Sequence, residues 1–104
     1  MTTASLPDPE NRFRRGVVLR LVVRNHPGVM SHVCGLFARR AFNVEGILCM
    51  PTGDGARSVV LLLVPEDRRI EQVLRQLRKL EDVLEVEPAP GGQEAFREVE
   101  RHLV

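Results

Sequence analysis

Tryptophan and tyrosine are absent from this sequence, and lysine occurs once, at Lys79. Arginine supplies nearly all the positive charge, and the 15 basic residues barely exceed the 14 acidic ones, for a formal net charge of +1. Without a basic excess the chain has little hold on a phosphate backbone, which argues against nucleic acid as its main partner. Only two cysteines are present, Cys34 and Cys49, too few for a disulfide scaffold. Both lie in apolar segments, where reduced, buried thiols of a cytoplasmic protein are expected. No apolar run approaches the roughly 18 residues of a membrane helix. The opening "MTTASLPDPENRFRR" has no apolar centre, so no signal peptide is expected there, only a flexible tail over 1–15. What is present is a 104-residue chain, 43% hydrophobic and dominated by Leu and Val. That length suits one domain, able to bury a core without metal or disulfide help.

Periodicity orders the elements. In "VVLRLVVR", residues 17–24, Val17, Leu19, Leu21 and Val23 share one face while Val18 and Val22 occupy the other, the pattern of a central strand. Pro27 fits the first turn of a helix, with Asn25 or His26 as its cap. Val29, Val33, Leu36 and Phe37 then give a buried helical stripe, and Arg39 and Arg40 suit the negative end of the helix dipole. "NVEGILCMP" predicts a second strand ended by Pro51, "TGDGA" a Gly-rich hairpin link, and "RSVVLLLV" a third strand, apolar throughout and therefore central. Ile70, Val73, Leu74, Leu77 and Leu80 predict a second amphipathic helix, and "DVLEVE" a short fourth strand. After the break "PAPGG", the segment "QEAFREVERHLV" forms a possible short helix with Phe96, Val99 and Leu103 on one side. The order is βαββαβ over 16–88, followed by a C-terminal tail over 89–104. Two right-handed crossovers then give an α+β, ferredoxin-like domain: a four-stranded antiparallel sheet with two helices on one face. Strands one and three are central. Strand two is an apolar edge without lysine, unprotected against pairing with another chain, so a homodimer is expected.

This topology hosts many functions, so function has to come from residues. RNA-binding versions display aromatics on the third strand, and "RSVVLLLV" has none. Metal carriers pair cysteines in a loop, whereas Cys34 and Cys49 stand fifteen positions apart. Acylphosphatase-like enzymes place an arginine in a Gly-rich loop after strand one, and Arg24 precedes the turn instead. "GDG" at 53–55 lacks the downstream Asn of a thiamine diphosphate motif and suits a hairpin turn. His26 and His32 have no ligand-spaced neighbours, and Ser31 beside His32 points a different way on a helix. No catalytic or metal residues are assigned.

The stretch "RNHPGVM", residues 24–30, stands where the first strand hands over to the first helix. An ordinary capped turn is one reading. The other is a ligand site: a helix N-terminus offers N–H groups and positive dipole to a carboxylate. Gly28 allows close approach, Val29 and Met30 give apolar walls, and Asn25 can serve an ammonium group. Carboxylate, ammonium and a small apolar side chain describe an aliphatic amino acid.

From this point "VRNHPGVMSHVCGLFARRAFNVEGILC", residues 23–49, with "KLEDV" at 79–83, strongly resembles the regulatory small subunits of acetolactate synthase (acetohydroxyacid synthase), in their short, single-domain isozyme 1 form. The resemblance covers 17–88 in outline. It implies an ACT domain, a βαββαβ fold, and a non-catalytic partner for a large catalytic subunit that holds thiamine diphosphate, Mg and FAD. The small subunit raises the rate of that enzyme and makes it sensitive to valine, in branched-chain amino acid biosynthesis. Valine would sit at the ACT dimer interface, held by Asn25, Gly28, Val29 and Met30 of one protomer and by Asn43 and Val44 of the other. No cofactor is expected in this chain, and neither a membrane nor nucleic acid as partner. The alternative is a stand-alone amino-acid-binding ACT module acting on a different partner.

Overall fold

β1, Gly16–Arg24, lies between two strands and buries Leu19, Leu21 and Val23 on one face and Val18 and Val22 on the other, where Arg20 pairs with Glu85 and Glu87. It pairs antiparallel with β3, Arg57–Pro65, from Gly16↔Pro65 to Arg24↔Arg57, and with β4, Val83–Pro88. Among the described residues β2, Gly46–Thr52, pairs only with β3, so the sheet order is β2-β3-β1-β4. The computed structural model describes residues 16–104, and the tail expected over 1–15 lies outside the described residues.

Leu19, Leu21 and Val23 of β1 meet Val60, Leu62 and Val64 of β3 on one face. Two helices cover that face. α1, Val29–Arg39, brings Val29, Val33, Leu36 and Phe37; α2, Ile70–Arg78, brings Val73, Leu74 and Leu77. The βαββαβ order, the antiparallel sheet and the two helices on one face therefore match the expectation. The hairpin at "TGDGA" does too: Gly53 and Gly55 take φ values of 55° and 88°, where a Cβ is strained. Asp54 Oδ1 accepts from Ala56 N at 2.9 Å and closes the turn.

Several local expectations are corrected. β2 starts at Gly46, not Asn43, and continues through Pro51 to Thr52. An edge strand can hold proline when the missing N–H points away from its one partner. Cys49 is exposed and Cys34 only half-buried, against the expectation of two buried thiols. Cys49 pairs with Val60, on the sheet face that carries α1 and α2, but the helices leave this edge uncovered.

The C-terminal segment is a full third helix, α3, Gln93–Leu103. Phe96 packs with Val18 and Leu63 on the sheet face opposite α1 and α2. Val99 is half-buried, and Leu103 is 77% exposed and outside the stripe. Two glycines make the seat. A Cβ on Gly46 would stand 2.7 Å from Phe96 Cε1, and one on Gly92 would stand 2.7 Å from Val18 Cγ1. Gln93 Nε2 also donates to Gly16 O at 2.9 Å, tying the start of α3 to the start of β1.

Candidate effector site

The turn between β1 and α1 is held from two sides. Asn25 donates from Nδ2 to Gly55 O at 2.7 Å, and its backbone N–H donates to Ala56 O at 3.0 Å. These bonds fasten the turn to the β2–β3 hairpin. On the other side His26 Nε2 lies 2.7 Å from Asp82 Oδ1, and Arg24 N–H donates to Asp82 O at 2.9 Å. His26 Nδ1 is 2.9 Å from Pro27 O. Both neighbours of the imidazole are acceptors, so the ring is satisfied as an imidazolium. The Asp82 carboxylate, and after it the Pro27 carbonyl, raise its pKa above the ordinary 6.5.

Neither Asn25 nor His26 caps the helix, which corrects the expected cap. Gly28 is the N-cap residue, with φ 90° and no side-chain hydrogen bond, and Pro27 precedes the helix. The left-handed φ calls for glycine, and the space beside its Cα is open. The first intrahelical bond runs from His32 N–H to Gly28 O at 3.1 Å. Earlier N–H groups of α1 point out of its end, and no acidic residue occupies the first turn. Val29 is buried and Met30 half-buried on the core. This end of α1 suits an anion flanked by apolar groups.

Asn43 and Val44 stand elsewhere. Phe42 N–H donates to Phe37 O at 2.9 Å beyond the end of α1, and Glu45 N–H donates to Leu63 O at 2.8 Å on entering the sheet. Between these anchors Asn43 is exposed and Val44 half-buried. An open hollow of about 420 Å³ lies there, lined by Cys34, Phe37, Ala38, Phe42, Asn43 and Val44. α1 has 11 residues, so at 1.5 Å per residue its two ends are roughly 16 Å apart. β2 separates the two groups in the same way, with the Asn25 contact at its hairpin end and Asn43 before its first residue. One chain therefore brings Asn25, Gly28, Val29 and Met30 together, and Asn43 with Val44, but not the two groups with each other. Sequence reasoning missed His26–Asp82, a pair that only the fold makes neighbours.

The fold and the sequence also have relatives. A family model described as an AHAS small subunit-like ACT domain matches residues 19–85. The chain is 53% identical over 90 residues to the acetolactate synthase isozyme 1 small subunit of Escherichia coli K12, covering 86% of this chain and 94% of that one. This chain belongs to the acetolactate synthase small-subunit family. Within the family it is 35% identical over 83 residues to the isozyme 3 small subunit of the same organism, spanning 51% of that longer chain. The solved acetolactate synthase small subunit of Thermotoga maritima overlays with a TM-score of 0.64 at 37% identity, over 71% of this chain and 47% of that one. A solved ACT domain from the GTP pyrophosphokinase of Chlorobium tepidum, 20% identical with a TM-score of 0.56, shares the fold. Among the described residues no helix is long and apolar enough to cross a membrane.

Proposed function

We propose that this small-subunit chain acts as a regulator without chemistry of its own: it binds a large catalytic subunit of acetolactate synthase, raises its rate, and confers feedback inhibition by valine. The cofactors of the reaction, thiamine diphosphate, Mg and FAD, belong in this reading to the large subunit. Valine binds between two copies of the chain. Its carboxylate lies at the start of α1 near Gly28, its side chain against Val29, Met30 and the partner's Val44, and its ammonium near the amide oxygens of Asn25 and the partner's Asn43.

The observation that carries this reading is the separation of the two residue groups within one chain. In this reading each is half of an amino-acid site, and the outer edge of β2, which no other described strand pairs with, runs between them. A two-fold pairing through that edge and α1 brings the start of one α1 toward the 43–44 segment of the other. Exposed Ile47 and Cys49 on the helix side of β2 then gain cover.

Reconstitution tests the proposal. The chain alone should not turn over pyruvate. Added to the large subunit it should raise the rate, and millimolar valine should lower it again. Turnover by the chain alone, or a rate that valine leaves untouched, overturns the reading.

A further inference from the structure

We infer that Arg69 is a positioning residue for the Asn43–Val44 half of the effector site, an inference that rests on the valine reading above. Arg69 precedes α2, far in sequence from Asn43, yet its guanidinium does three things at once. Nε and Nη2 donate to the two carboxylate oxygens of Asp67, each at 3.0 Å. Nη1 donates to Arg40 O at 2.8 Å. The guanidinium carbon lies 4.9 Å from the centre of the Phe42 ring, within cation–π range.

The segment so held needs holding. Ala41 has φ 52°, a left-handed conformation that costs a residue with a Cβ. Arg40 and Ala41 close the end of α1 through bonds to Phe37 O and Ala38 O. Phe42 is buried and meets Phe37 edge to face, with ring centres 5.7 Å apart. Asn43 follows directly, so its direction depends on where the Arg40–Phe42 turn is set. Arg69 is the tie that sets this turn from the α2 side. Asp67 in turn fixes the guanidinium plane, and its Oδ1 also accepts from Arg69 N–H at 2.8 Å. A lysine cannot replace this fork, because one ammonium cannot at once reproduce the paired bonds to Asp67, the bond to Arg40 O and the cation–π contact with Phe42.

The test compares Arg69→Met with Arg78→Met in the full-length chain. Arg78 makes a similar single bond to a backbone oxygen, Val86 O at 3.3 Å, at the far side of α2, and controls for general loosening. Two quantities are read: valine affinity by calorimetry, and the Asn43 side-chain and Val44 backbone amide resonances without valine. If R69M leaves the segment in its binding conformation one-tenth of the time, valine affinity falls about tenfold. The Asn43 and Val44 resonances should shift or broaden in R69M and keep their places in R78M, and Arg69→Lys should recover little. Unmoved resonances in R69M, or equal losses in R69M and R78M, overturn the inference. A wild-type chain that binds no valine defeats the effector reading alone, and the resonances still decide the role of Arg69.

Discussion

In the proposed site Asn25 serves two neighbours. Its Nδ2 is committed to Gly55 O, which leaves Oδ1 to accept from a ligand ammonium. A lost hydrogen bond to a charged group costs about 1.5–3 kcal/mol, or roughly tenfold to a hundredfold in affinity. Asn25→Ala and Asn43→Ala should each weaken valine inhibition by that factor, measured as the half-inhibitory concentration of the reconstituted enzyme. His26 carries a pH prediction. Its pKa is raised in the folded chain, so the contact with Asp82 contributes fully below the unfolded value of 6.5 and is lost as pH rises through the higher folded value. Urea melts should therefore show a loss of stability as pH rises above the unfolded value of 6.5 in wild type that is smaller in His26→Ala. A matching slope in both would remove the pair from the account. Asn25 is legible as a candidate because it follows a strand end, whereas Asn43 enters only through the family resemblance. His26–Asp82 and Arg69–Phe42 were not legible, since only the packing of α2 and β4 beside β1 and α1 makes them neighbours.

At the level of elements, periodicity located every strand and helix of the core, because each buries a face against a neighbour of fixed spacing. It could not say how much of β2 the helices cover, so Cys49 was misjudged: an apolar strand at an edge reads like one in the middle. Nor could it tell which side of the sheet α3 would choose. The sheet answers that question through Gly46 and Gly92, whose missing side chains leave room for Phe96 and Val18. Phe96→Ala removes the one fully packed side chain of α3. The expected outcome is local: amide exchange over residues 93–103 should accelerate, while β1 and β3 keep their protection. Equal acceleration across the sheet would mean that α3 belongs to the main cooperative unit.

For the molecule as a whole, the effector reading needs a dimer, and a ligand that bridges it should stabilise the folded state. At a hundredfold excess over its Kd, valine adds about 2.7 kcal/mol, enough for a melting shift of several degrees. Light scattering should give a dimer at micromolar concentration, and a monomer with and without valine would contradict this. The central claim is that each valine is held by Asn25 of one protomer and Asn43 of the other. Mixing the Asn25→Ala and Asn43→Ala chains tests it most directly. In a mixed dimer one site keeps both amides and the other keeps neither. With free exchange between protomers, about a quarter of all sites in an equal mixture regain tight binding. Calorimetry of the mixture should therefore recover a tight-binding fraction that neither variant has alone. A mixture that binds valine no better than its two components would contradict a site shared between protomers.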